Sequence, residues 1–211
     1  MYACLQGLKD RGFVPNSVLD IGAALGEWTT MAMRFWPEAR YFLFEPLKER
    51  EAALNKLRAD YPNVDFALAG AADRPGRLSL GVSSNLYTSS FAYPGEDNRG
   101  VDVVTVDDLF REGRFPQPQF MKLDVQGYEF KVLEGAAETM RHCDMILLEL
   151  TFFRFAPEMK LLHEAIQWMV ERGFRPYEFV DFLRRPHDGA MGQCDFLFIG
   201  EGHPLLSSSA W

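Results

Sequence analysis

The sequence predicts an α/β fold in which helices cover a mostly parallel sheet. Strand-like apolar runs alternate with helical stripes along the chain, the pattern of β-α-β crossovers. Two segments lie about a hundred residues apart: Val18-Leu-Asp-Ile-Gly-Ala-Ala-Leu-Gly26 and Phe120-Met-Lys-Leu-Asp-Val-Gln-Gly-Tyr-Glu129. Each is an apolar run that ends in an acid and a glycine turn, and a third acid, Glu45, closes Tyr41-Phe-Leu-Phe44. Such runs read as strands buried on both faces. In open α/β sheets, ligands bind outside the carboxyl ends of such strands.

The elements follow in order. A short helix over residues 2–11 precedes a strand at 17–21. Residues 27–35 read as a helix stopped by Pro37. The second strand is 41–44, and Pro46, a residue suited to a helix start, opens a helix that runs to about 61. Residues 64–68 form the third strand. Residues 70–118 break the rhythm with short β-like pieces at 77–82 and 101–106, a polar loop over 83–100, and turn signals at Pro75-Gly76 and Pro94-Gly95. This stretch predicts an elaboration near the sheet edge, where substrate loops sit, or else a surface hairpin.

Residues 120–124 form the fourth strand, 128–141 a helix and 145–150 the fifth strand. Apolar residues at 161, 162, 165, 166, 169 and 170 stripe a helix over 158–172, which Gly173 ends. Strands at 174–179 and 195–199 close the chain as a hairpin pair. No repeat or linker interrupts the chain, so residues 1–211 read as one domain.

Bulk properties exclude several classes. The chain has 211 residues, 47% apolar and 25% charged, as a globular domain does. A net charge of −8 with scattered basic residues argues against nucleic acid and against an anionic membrane surface. No apolar run approaches the roughly 20 residues of a membrane span, and residues 1–12 lack a signal-peptide core. The expected location is the cytoplasm. Cys4, Cys143 and Cys194 are far apart and read as reduced structural thiols. No CxxC or HExxH pairing points to zinc.

Asp20-Ile-Gly-Ala-Ala-Leu-Gly26 has the form D-x-G-x-x-x-G. Gly22 and Gly26 allow tight turning and close approach of a ligand. The dinucleotide fingerprint is G-x-G-x-x-G, so the pyrophosphate cradle is incomplete here. An acid at the strand end repels a diphosphate and suits an ammonium. Glu45, 19 residues after Gly26, is placed to accept ribose hydroxyls. S-adenosylmethionine (SAM) carries both an ammonium and a ribose, whereas NAD has no amino-acid end. The alternative is that the two glycines only build a tight strand-helix turn.

The closing hairpin resembles the end of the Rossmann-like seven-stranded sheet of SAM methyltransferases, whose last strand is antiparallel. Further segments narrow the likeness. They are Leu19-Asp-Ile-Gly-Ala-Ala-Leu-Gly-Glu-Trp-Thr29, Phe44-Glu-Pro46, Val104-Thr-Val-Asp-Asp-Leu109, Lys122-Leu-Asp-Val-Gln-Gly-Tyr-Glu129, Leu133-Glu-Gly-Ala136 and Ile146-Leu-Leu-Glu149. Together they resemble the FkbM-type SAM-dependent methyltransferases over roughly residues 5–199. The resemblance implies methyl transfer from SAM, commonly to a hydroxyl of a sugar, glycan or natural product. It implies cofactor contacts from Asp20, Gly22, Ala23, Ala24, Gly26, Glu45 and Pro46, with adenine near Ala71. The family often has Asn where this chain has Ala24, so cofactor binding could be weaker or rely on backbone contacts.

Methyl transfer to a hydroxyl requires alignment and removal of a proton. Asp124, Glu129 and Glu149 stand at the sheet's carboxyl edge as candidate catalytic groups. Their alternative roles are a cap for Asp124, a helix-dipole contact for Glu129 and an ion pair for Glu149. Three carboxylates could also hold Mg²⁺, a reading not favoured because spacing alone does not make their oxygens converge. His187, in the loop expected over 181–193, is a candidate base or substrate contact. His163 and His142 read as structural. Ser89, Ser90 and Tyr93 are candidate substrate contacts, or packing for the elaboration. Trp28 and Trp36 read as helix-sheet packing.

Competing readings are an N- or carboxyl-methyltransferase, a nucleotide-sugar or NAD(P) enzyme, and a non-catalytic SAM-fold partner subunit. The expected partner is a small-molecule or carbohydrate acceptor. The apolar tail Pro204-Leu-Leu206 with Trp211 leaves a homodimer open.

Overall fold

A computed structural model describes residues 1–157 and 159–208. In chain order the elements are α1 (Tyr2–Asp10), β1 (Ser17–Ile21), α2 (Glu27–Ala32), β2 (Arg40–Phe44), α3 (Glu51–Asp60), β3 (Val64–Ala67), β4 (Gly70–Ala71), β5 (Gly76–Val82) and β6 (Asp97–Val104). They continue with α4 (Val106–Arg111), β7 (Phe120–Leu123), α5 (Glu129–Glu134), α6 (Ala137–Met140), β8 (Met145–Thr151), α7 (Leu162–Val170), β9 (Phe174–Arg184) and β10 (Met191–Gly200).

Seven strands form one sheet in the order β3-β2-β1-β7-β8-β10-β9, and β10 is antiparallel to both its neighbours. The chain winds outward from β1 in one direction and from β7 in the other. These two central strands pair in parallel, Val18 with Phe120 through Ile21 with Leu123. The order therefore reverses between β1 and β7, and the crevice outside their carboxyl ends is where such sheets hold ligands. Both acid-and-glycine turns open there.

Alternation along the strands divides the core between two faces. Leu19, Ile21, Phe42, Phe44, Met121, Leu123, Ile146 and Leu148 pack with Val106, Val132 and Ala165 from the helices of one layer. Val18, Tyr41, Leu43, Phe120 and Leu147 pack with Leu5, Leu8, Ala32 and Leu54 on the other. No helix among the described residues is long and apolar enough to cross a membrane.

Several boundaries differ from the sequence expectation, each for a local reason. The helix expected from Pro46 begins later, as a 3-10 turn at Lys48–Arg50 followed by α3. Leu47 stays extended because its N–H binds the Glu45 carboxylate at 2.8 Å. The 128–141 helix is broken into α5 and α6 around Gly135. Buried Asp107 accepts the N–H groups of Glu138 and Thr139, at 2.9 and 2.8 Å, and so starts a new helix. A β-carbon on Gly135 would lie 2.0 Å from the Ala72 carbonyl, which leaves room for glycine alone.

The helix expected over 27–35 ends at Ala32, and α7 begins at Leu162 rather than at residue 158. Glu158 itself, like Trp211, lies outside the described residues. The strand expected over 101–106 runs instead over Asp97–Val104, where Thr105 caps α4 by accepting the Asp108 N–H at 3.0 Å. The 70–118 elaboration is a second, three-stranded sheet, β4-β6-β5, carrying α4 after it. The hairpin strands β9 and β10 extend through most of the expected 181–193 loop, leaving residues 185–190 as the tip.

Candidate active site

A cavity of about 270 Å³ opens at the carboxyl ends of β1, β2 and β7. Its size far exceeds the ~10–15 Å³ that one water needs, so it is no packing defect. One wall is Gly22, Ala24, Phe44, Glu45 and Pro46. The elaboration closes a second with Ala71, Leu80 and residues 86–91. Asp124, Gln126, Glu149, Leu183 and Gln193 form the third.

The glycine turn is built by close approach. Gly22 has φ 81°, and a β-carbon there would sit 2.0 Å from the Asp124 carbonyl oxygen, so the two loops touch backbone to backbone. Ala24 also lies in the left-handed region, φ 50°, where a side chain is strained. Its N–H donates to Glu45 Oε2 at 2.9 Å. Gly26 has φ 78° and forms the N-cap of α2, and a β-carbon would meet Leu57 Cδ2 at 2.6 Å. Gly26 and Ala23 do not line the cavity. They shape the turn behind it.

Glu45 is buried on the cavity wall. Burial pushes its carboxyl up to about 6, although the N–H groups of Leu47 and Ala24 and the Arg50 guanidinium pull the other way. Each carboxylate oxygen accepts one backbone N–H and keeps a second lone pair, an arrangement that suits two adjacent hydroxyls. Phe44, Leu47, Ala71, Leu80 and Phe91 supply apolar surface beside it.

Asp20 corrects an expectation. It is fully buried, 0% exposed, and does not line the cavity. Its Oδ2 accepts the Thr29 hydroxyl at 2.7 Å. Its Oδ1 stands 3.2 Å from Lys122 Nζ, an ion pair whose angle falls short of a hydrogen bond. Lys122 is Asp20's cross-strand partner, and its Nζ also donates to the Gly22 carbonyl at 3.0 Å. Burial lowers the affinity of Lys122 for its proton, but Asp20 and Asp124 outweigh it and the net shift is upward. Asp20 thus neutralises a lysine that props the glycine turn, and it has no free face for a ligand's ammonium. The K of K-x-D-V carried this signal in the sequence, where no role was assigned to it.

The acids at the right of the cavity divide by role. Asp124 is half-exposed at the end of β7 and faces the cavity. Glu149 lies across from it on β8. Gln126, which the sequence reading passed over, donates from Nε2 to Asp124 Oδ1 and to Glu149 Oε2, both at 2.9 Å. Burial, then the charges of Asp124, Glu129 and Asp195, hold the Glu149 carboxyl well above the ordinary range. Glu129 points back into its own loop, accepting the N–H groups of Val125 at 3.0 Å and Gly127 at 3.1 Å. Burial raises it to about 7. It does not line the main cavity, and its place is to hold the turn that carries Gln126.

A carboxyl raised in the folded state stabilises the fold fully below its unfolded value. That contribution is lost as pH rises through the folded value. Glu149→Gln should therefore flatten the fall in unfolding free energy between about pH 5 and about pH 8. Urea unfolding at both pH values checks it, and an unchanged slope would refute the buried acid.

The other candidates separate. His187 sits at the exposed hairpin tip and lines none of the described cavities, so the structure does not bring it to Asp124. It missed because the loop expected to overhang the site is two paired strands, which carry Leu183 and Gln193 there instead. Ser90 also lines the cavity, but it is 1% exposed and its hydroxyl is occupied: its Oγ donates to the Gln126 carbonyl at 2.7 Å and accepts the Ala92 N–H at 2.9 Å. Ser89 binds the Ser83 N–H at 3.1 Å and lines the cavity. Tyr93 donates to the Thr88 carbonyl at 3.3 Å and does not line it. Tyr87 does, with the Arg50 guanidinium 4.4 Å from its ring centre. Among the described residues no group of three His, Cys, Asp or Glu side chains is placed to hold a metal ion.

A seven-stranded sheet with one antiparallel strand, carrying a cavity at its switch point, defines a methyltransferase fold. Residues 20–176 match the Methyltransferase FkbM domain, and the chain belongs to that family. The hexuronic acid methyltransferase AglP of Haloferax volcanii is 24% identical over 132 residues, covering 62% of this chain and 54% of that one. The chain thus spans about half the length of this curated relative.

The FkbM methyltransferase of Methylobacillus flagellatus KT superposes with a TM-score of 0.58 at 16% identity, over 86% of this chain and 43% of that one. Aeropyrum pernix fibrillarin, solved with S-adenosyl-L-methionine bound, gives 0.50 at 15% identity, over 92% and 73%. These two likenesses concern the fold.

Proposed function

We propose that this chain is a SAM-dependent O-methyltransferase whose acceptor hydroxyl belongs to a sugar or glycan. One observation carries the reading: a single cavity places Glu45, with two free lone pairs, opposite the half-exposed Asp124. Glu45 would hold the ribose hydroxyls of SAM, and the apolar wall from Phe44 to Phe91 would take adenine. SAM supplies a methyl group on a sulfonium, already a good leaving group. Asp124 is left to align the acceptor hydroxyl and take its proton. Residues 86–91 on one side and Leu183 on the other line the cavity where the acceptor would enter.

The name of the haloarchaeal relative supports a carbohydrate acceptor. Among the described residues no lysine or arginine lines this cavity, whereas three carboxyl groups do, so the cavity disfavours a negatively charged group at the acceptor position. A cytoplasmic, reducing setting agrees with three free, buried cysteines.

The test is calorimetric titration with SAM and with NAD⁺, followed by transfer of labelled methyl from SAM to a panel of neutral hexosides and hexuronates. SAM should bind and NAD⁺ should not. Glu45→Ala should weaken SAM by about tenfold or more, from the loss of hydrogen bonds to a charged acceptor. No SAM binding by the folded wild type would defeat this reading and favour a partner subunit without catalysis.

A further inference from the structure

We propose that Gln126 is a positioning residue whose side-chain amide, shared between Asp124 and Glu149, holds the two carboxyl groups as one unit facing the acceptor. The proposal rests on the reading of Asp124 as the base. Three observations lead to it.

The first is geometric. Nε2 of Gln126 has two hydrogens and stands 2.9 Å from one oxygen of each acid. The second is strain. Gln126 has φ 55°, a region that only glycine enters freely. Glycine would be the easier residue if this position served the turn alone, so the side chain is what the backbone strain supports. The third is the brace. Ser90 donates its hydroxyl to the Gln126 carbonyl at 2.7 Å, and a backbone bridge between Ser90 and Gly81 ties it to the second sheet.

The chemistry of an amide fits the position. A lysine there would favour negative charge on both acids. A neutral donor satisfies both and leaves one proton free to belong to either. Lys122 Nζ, 3.7 Å from Asp124 Oδ2, draws negative charge toward Asp124. Glu149 is faced by Lys122 from β7 and Asp124 just after it, by Glu129 from α5, by Asp195 from β10 and by Tyr93 from the elaboration. Burial and its three acidic neighbours leave it as the protonated partner. The amide thus keeps a charged and an uncharged carboxyl at a set separation.

The experiment needs neither cofactor nor acceptor, so its failure is distinct from a failure of the methyltransferase reading. Carboxyl ¹³C signals of Asp124 and Glu149 are followed against pH in the full chain, with thermal melting alongside. Gln126→Met removes the donor and keeps the bulk. Gln126→Gly removes the donor and the strain. In both variants the Glu149 midpoint should rise, by about half to one pH unit, since the acid loses a donor that favours its charged form, and the Asp124 carboxyl signal should change its chemical shift with the loss of the same donor. Gln126→Gly should melt about 2–4 °C above Gln126→Met. A merely structural Gln126 would leave the Glu149 midpoint and the Asp124 signal in place. Movement of neither acid, or of one alone, overturns the shared amide, and a glycine variant that melts no higher overturns the strain argument.

Discussion

Lys122→Met is expected to destabilise the fold by about 3–5 kcal/mol, the cost of leaving a buried carboxylate without its cation. Asp20 is 0% exposed, and its remaining partner is the Thr29 hydroxyl. The lysine also holds the Gly22 carbonyl, so its loss loosens the glycine turn where it meets the Asp124 loop. Asp20→Asn combined with Lys122→Met should recover much of the loss, because removing both charges also removes the desolvation they impose. Urea unfolding of the two variants decides the matter. A Lys122→Met protein as stable as wild type would mean that Asp20 does not depend on this pair.

Asp124→Asn is expected to lower kcat by about 10²–10⁴-fold, the usual contribution of a general base. Asparagine keeps the size and one acceptor oxygen for the Gln126 amide. SAM affinity should therefore be close to that of wild type. The loss should fall on kcat rather than on binding, as for an interaction made mainly in the transition state. The assay uses the sugar acceptor found in the methyl-transfer panel, with calorimetry for SAM. Transfer within about threefold of wild type would remove Asp124 from the role of base.

Much of this site is legible along the chain, because its parts are local. The glycine turn after β1, the acid ending β2 and the acid ending β7 are each written within about ten residues. Parallel strands must deliver such turns to a common edge. Ala24 is legible too, as a departure whose meaning becomes concrete in its left-handed backbone and its N–H on Glu45.

What was not legible depends on long-range pairing. Asp20 and Lys122 are 102 residues apart, and only the β1–β7 register makes them partners rather than leaving Asp20 open to a ligand. His187 looked placed to overhang the site until β9 and β10 paired through the presumed loop and carried it to the tip. Helix breaks at residues 46 and 135 likewise came from side chains that captured backbone N–H groups, Glu45 locally and Asp107 from a distant helix.

By itself the sequence determined the class of fold and the edge at which the acid-and-glycine turns meet, while the seven-stranded sheet with its antiparallel strand came from a family resemblance. Periodicity and glycine turns are local properties that burial enforces. Tertiary structure alone decided which acids face the cavity, which are consumed by the core, and that Gln126 joins two of them. A carboxyl group's role depends on its solvent exposure and its charged neighbours, and both are set by strands and loops far away in the chain.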